Sequence, residues 1–228
     1  MPVVPSSAVF PKAVPRKERL PVPTTMNDFP GLLTTATILA YWIGVGIMIA
    51  RIKRHSPAIP IMAPAQPLER AMGIIWVPIV ILWIVLPWLA QTRNGGWLGL
   101  PDFTALAIYM AFRWLAALVA VMCLVATARC WARMGKDWRM AVAVGEQTNL
   151  ITDGPFRRIR HPIYAFSILL MICTLVVVPT LAMLVVAVAH IALMNVKARN
   201  EERHLLATQG DDYAQYVQRT GRFFPRQS

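Results

Sequence analysis

The longest charge-free run in this chain, Ile163 to Val196, spans 34 residues and carries Pro179 near its middle. Roughly 20 helical residues cross the hydrocarbon core of a bilayer, so the run is too long for one straight span and short for two. Proline offers no amide to a helix ladder, which predicts two short helices joined at Val178-Pro179. One long, kinked and tilted helix is the competing reading. Three further blocks have the length of a single span: Phe29 to Ala50, Ala71 to Ala90, and Phe103 to Ala128, the last interrupted by Arg113. The expectation is an all-α, multi-span transmembrane helical protein of about five spans, ending in a helical hairpin and a cytoplasmic segment. Charged residues make up 15% of the chain, against about 25% in an ordinary soluble domain.

The formal net charge of +12 would suggest nucleic-acid binding in a soluble protein. Here the basic residues fall between the apolar blocks, so the positive-inside rule is the better reading and no nucleic-acid partner is expected. Seven lie between Arg129 and Arg160 and six from Lys197 onward, whereas Gln91 to Asp102 holds only Arg93. Both rich segments are therefore placed in the cytoplasm, the membrane being the plasma (inner) membrane. Five spans then put the N-terminus outside, in mild conflict with Lys12, Arg16, Lys17 and Arg19. Residues 1–28 contain six prolines and no signal-like apolar core, which reads as a disordered tail, with spans 1–3 filling 29–133. Cys123, Cys130 and Cys173 lack metal-type spacing, and no metal site is expected. Arg113 has two open readings, a polar cavity inside the bundle or a side chain that snorkels to the interface.

Polar residues gather on either side of the last hairpin. Gly154-Pro155-Phe156 and Arg160-His161-Pro162-Ile163-Tyr164 precede it; Glu201-Glu202, Gly210-Asp-Asp-Tyr213-Ala-Gln-Tyr216 and Arg222-Phe-Phe-Pro225 follow it. Pro162 suits the first turn of a helix, which sets His161 at that helix's entrance, beside unpaired amides and the positive end of the dipole. Such a place suits a small anion, for instance a carboxylate. Beyond the hairpin, Asn195, Arg199 and Glu202 fall at i, i+4 and i+7 on one helical face, with Lys197 and Glu201 on a neighbouring one. Blander readings exist for each: a capping histidine, arginines anchored in lipid headgroups (Arg157, Arg160), a solvated helix end, and tyrosines of an interfacial belt.

Taken in order, these five elements resemble the signature of the isoprenylcysteine carboxyl methyltransferase and phospholipid methyltransferase group, over about Met134 to Pro225. Two positions depart from it: Gln209 stands where phenylalanine is frequent, and Lys197 where arginine is. The resemblance implies a methyltransferase core in 134–228 that uses S-adenosylmethionine. It implies cofactor contacts from Gly154, Pro155, His161, Pro162, Tyr164, Glu201 and Tyr213, and places Arg199 and Glu202 where cofactor meets acceptor, as the catalytic pair. The acceptor is expected to be lipophilic or small: a carboxylate, a thiol or a lipid amine. Two rivals remain, a membrane NADPH-dependent reductase of the sterol-reductase type and a non-catalytic membrane subunit.

Overall fold

The computed structural model describes residues 28–55, 67–92, 96–135, 138 and 150–226. The proline-rich tail expected over residues 1–28 therefore lies outside the described residues, apart from Asp28. Five α-helices account for most of what is described: α1 (Phe29–His55), α2 (Pro67–Thr92), α3 (Ala107–Met134), α4 (Pro162–Val177) and α5 (Leu181–Arg219). Short 3-10 turns at Asp102–Ala105 and Gly154–Arg157 lead into α3 and α4.

Four of the five, α1, α2, α3 and α5, are long and apolar enough to cross a membrane. The fourth apolar block is indeed split. Helix α4 stops at Val177, Pro179 occupies the turn, and Thr180 caps α5 by accepting a hydrogen bond from the Met183 amide at 3.1 Å. At 16 residues, α4 is about 24 Å long, short of the ~30 Å hydrocarbon core. Helix α5 is the opposite case. Its 39 residues extend about 58 Å, and its apolar run ends at Val196, so its second half stands outside the hydrocarbon. It kinks at Gly210, whose φ of 52° and ψ of −124° would strain any residue bearing a Cβ.

Pro78 and Pro87 inside α2 are tolerated as they are in other membrane helices, whose neighbours make good the lost hydrogen bonds. Helix α4 packs between α3 and α5, while α1 and α2 close the other side of the bundle. Ala116, Ala117 and Ala120 form the buried stripe of α3, small residues that let helix backbones approach without a hydrophobic driving force between them. Large apolar side chains such as Ile43, Ile74, Ile108, Val185 and Val188 point outward instead. In water such a surface would aggregate; in a bilayer it is the lipid face.

Successive helices run in opposite directions, so two distinct ends result. One end joins the start of α1, the start of α3 and the end of α4, where Arg113 pairs with Asp28 at 2.7 Å and donates to the Val177 carbonyl at 2.9 Å. Arg113 is fully buried, which settles its two readings in favour of a polar site inside the bundle. Its partner belongs to the stretch assigned to the tail: Asp28 is 2% exposed and accepts a hydrogen bond from the Gly31 amide at the start of α1. The opposite end gathers the ends of α1, α3 and α5 with the starts of α2 and α4, and carries the other basic residues described. The polar elements flanking the hairpin meet there.

Candidate active site

Pro162 takes the first position of α4 and His161 the position before it, with φ −121° and ψ 63°. Two chain segments from far apart in sequence fix this corner. The amides of Arg160 and His161 donate to the carbonyls of Gly221 (2.9 Å) and Arg222 (3.1 Å), and the Gly221 amide returns to Arg158 (3.1 Å). This small parallel bridge, between Ile159 and Gly221, straps the C-terminal segment over the α4 entrance. Gly221 has a steric reason to be glycine, since a Cβ there would overlap the Phe224 carbonyl. Gly221→Ala is expected to loosen the strap at a cost of about 1–3 kcal/mol, read as faster proteolytic trimming of the C-terminus in detergent.

Under the strap, α4 and α5 bring their polar residues into one cluster. Tyr164 donates a hydrogen bond to Glu201 Oε1. His161 stacks on Tyr164 with rings nearly parallel and 5.4 Å apart, and its two ring nitrogens face the glutamate pair: Nδ1 lies 3.5 Å from Glu201 and Nε2 3.4 Å from Glu202. Glu202 accepts from Arg160 Nε (3.0 Å) and from Arg222 Nη2 (2.5 Å). Arg160 also donates to the Val217 and Thr220 carbonyls, so one guanidinium ties α5 to the strap. Burial pushes the Glu202 carboxyl up, yet polar contacts from His161, Arg222 and Arg160 outweigh it and hold the group well below the usual carboxylate range.

Tyr216 donates to the Phe156 carbonyl at 2.6 Å, anchoring the Gly154-Pro155-Phe156 turn to the last part of α5, and burial pushes its phenol up to about 12. Tyr213, 1% exposed, sits beside Glu202 and is likewise pushed up, first by burial and then by that carboxylate. The Tyr213 hydroxyl is buried with no hydrogen-bond partner among the described residues, and His161 Nε2, 3.4 Å from Glu202, makes only a long contact to that carboxylate. Buried polar atoms are normally satisfied, so the Tyr213 hydroxyl is the group of this cluster open to a further partner.

His161, Tyr164, Glu201, Glu202 and Tyr213 are thus brought together. Gly154, Pro155 and Pro162 line an adjoining cleft of about 400 Å³ with Arg157, Arg158, Ile159, Phe166 and Pro225, a size within the usual range for small-molecule sites. Arg199 is exposed on α5 and forms no ion pair with either group among the described residues. Asn195, on the same helical face, donates to the Ile191 carbonyl of its own helix. Arg160 is no lipid anchor: its side chain is 9% exposed and engaged with Glu202, whereas Arg157 is exposed.

One participant carried no signal in the sequence. Glu69, in the first turn of α2, is 4% exposed and accepts from Asn200 Nδ2 at 2.7 Å and Lys197 Nζ at 3.5 Å. Lys197 in turn lies 3.8 Å from Glu201. An acidic residue amid Arg51, Arg54 and Arg70 looks like an ordinary interfacial charge until α2 and α5 are seen to pack together.

Residues 114–207, which contain most of this cluster, match the isoprenylcysteine carboxyl methyltransferase (ICMT) family. The chain is also similar to the cobalt-zinc-cadmium resistance protein CzcN of Cupriavidus metallidurans, 33% identical over 98 residues, which are 42% of this chain and 45% of that protein. The nickel-cobalt-cadmium resistance protein NccN of Alcaligenes xylosoxydans xylosoxydans is 29% identical over 98 residues, 42% of this chain and 46% of that protein. The match spans less than half the length of either relative. The family match falls on the helices that carry His161, Tyr164 and the glutamate pair, and those helices sit in a bundle with a lipid-facing surface: over residues 114–207 this membrane-type helical chain resembles the isoprenylcysteine carboxyl methyltransferase family.

Proposed function

We propose that this protein transfers a methyl group from S-adenosylmethionine to a lipophilic or small acceptor, a carboxylate, thiol or lipid amine, at the cytoplasmic face of the plasma (inner) membrane. The observation that carries the reading is the buried, unpartnered Tyr213 hydroxyl beside the His161–Tyr164–Glu201–Glu202 cluster of the family-matched hairpin. The side is read from charge: Arg51, Lys53, Arg54, Arg70, Arg129 and Arg133 share the end of the bundle that holds the cluster, which favours the cytoplasm.

In this proposal His161, Tyr164, Glu201 and Tyr213 hold the cofactor, with Gly154, Pro155 and Pro162 shaping the cleft beside them. The cofactor, when bound, supplies an electrophilic methyl group on a sulfonium. In-line displacement needs no covalent enzyme intermediate, so the protein's part is alignment and exclusion of water. The Tyr164 ring and the Glu201 carboxylate make an electronegative wall suited to a cationic ligand. Glu202, gripped by two guanidiniums, is too weak a base to take a proton from an amine efficiently; its part is to hold Arg160, Arg222 and the strap in place. Arg199, exposed beside the cluster, is assigned to the acceptor's anionic group.

Calorimetry of the detergent-solubilised protein tests the cofactor half of the proposal. S-adenosylhomocysteine is expected to bind and NADPH not to, with His161→Ala lowering affinity about tenfold or more through loss of a buried polar contact. Binding of NADPH alone would favour a reductase. A labelled-methyl assay against membrane lipid extract and small thiols and acids, with the product identified by mass, then names the acceptor.

A further inference from the structure

Charge within the cluster is unevenly shared. Glu202 has two cations to itself, Arg160 and Arg222, whereas Glu69 and Glu201 share Lys197, 3.5 Å from one and 3.8 Å from the other. Among the described residues, the Tyr164 side of the cluster therefore carries about one uncompensated negative charge and the strap side about one positive charge. None of the three side chains on the negative side is well hydrated: Glu69 is 2% exposed, Lys197 16% and Glu201 21%. A surplus charge in so dry a place is costly unless a counter-charge arrives. Lysine suits this position for the same reason that arginine would not be needed there, since a compact ammonium can be divided between two carboxylates without a bidentate grip on either.

Glu69 lies on α2, outside the family-matched residues 114–207. We propose that Glu69 is a positioning residue for methyl transfer, drawing Lys197 away from Glu201 so that Glu201 keeps its full negative charge for a sulfonium ligand. The inference rests on the methyltransferase reading above. Without the Glu69 charge, the Lys197–Glu201 pair is left without its second carboxylate, and the wall facing the ligand loses one negative charge. The coupling also explains why α2 is packed against α5 at this level: Asn200 donates to the second oxygen of Glu69 and fixes the carboxylate's orientation.

A comparison of two ligands isolates the effect. S-adenosylmethionine and S-adenosylhomocysteine share their amino, carboxyl and nucleoside groups and differ in the methyl and its positive charge. Glu69→Gln keeps an oxygen for Asn200 but removes the charge on Lys197's partner. It is expected to weaken S-adenosylmethionine binding about tenfold, the effect of one unit charge several ångströms away at an intermediate dielectric. S-adenosylhomocysteine affinity is expected to change by less than about twofold, because a neutral thioether feels little of that field. Asn200→Ala, which removes the orienting hydrogen bond and leaves the charge, should leave the affinity ratio of the two ligands near the parental value. An equal loss for both ligands in Glu69→Gln would make the residue merely structural, and no change in either would overturn the proposal. If the unmodified protein binds neither ligand, the methyltransferase reading itself fails, an outcome distinct from both.

Discussion

Glu202→Gln is expected to lower methyl transfer by about 30-fold or more and to release the C-terminal strap. The carboxylate is the hub between α5, the residue before α4, and the strap: it accepts from Arg160 and Arg222 and faces His161 Nε2. Glutamine keeps the volume but puts an N–H donor and a neutral oxygen before two guanidiniums. Breaking a buried ion pair from one side costs about 3–5 kcal/mol; with Arg222 31% exposed, roughly 2–4 kcal/mol is the better expectation here. That corresponds to between about 30-fold and 1000-fold in the population of the assembled cluster. Limited proteolysis should show loss of residues after Tyr216, and turnover should fall in proportion. The pH dependence has a defined sign. A carboxyl held below its unfolded value adds stability that is complete above about pH 4.3 and is lost as the pH falls through the folded value. The parent protein should therefore keep its strap at mildly acid pH, whereas Glu202→Gln should lack it at every pH. If the variant retains parental turnover and protease resistance, the hub assignment is wrong.

The hairpin and the His161–Tyr164–Glu201–Glu202 grouping were legible in the sequence because each rests on a local rule. Pro179 ends one helix, Pro162 begins another, and polar residues next to an apolar run must lie at its ends. What was illegible depends on contacts between helices far apart in the chain. Glu69 is separated from Lys197 by 128 residues and from Asn200 by 131, and an acid in a basic loop predicts nothing about its partner. Arg199 shows what helical spacing alone leaves open. It shares a face with Asn195 and lies near Glu202, but α5 turns Glu202 inward and Arg199 out, because the burying surface is set by α4 and the strap. The split at Pro179 into a short α4 was legible for the same local reason, but a charge-free run could not show that α5 continues beyond Val196 to Arg219 as a polar extension.

The second large effect is expected at the other end of the bundle, far from any chemistry. Arg113→Leu should lower the unfolding free energy by about 3–5 kcal/mol, the usual penalty for stranding one member of a buried pair. The stranded group is Asp28, 2% exposed, which would keep the Gly31 amide as a weak partner at 3.3 Å. Arg113 also donates to the Val177 carbonyl, and Tyr109 donates to that of Val176 at 2.9 Å, so α3 supplies donors for the carbonyls freed at the end of α4. A short helix ending within the bundle cannot hand those carbonyls to lipid. Asp28→Asn should cost less than Arg113→Leu, because arginine keeps its carbonyl contact. The double replacement Asp28→Leu with Arg113→Leu should recover part of the loss, since removing both charges removes the desolvation penalty as well. A double-mutant cycle on thermal unfolding in detergent measures the coupling. A coupling energy near zero would mean that the 2.7 Å contact contributes nothing net. Affinity for S-adenosylhomocysteine in whatever folded Arg113→Leu protein remains should equal the parent's, because the length of α4 separates this pair from His161.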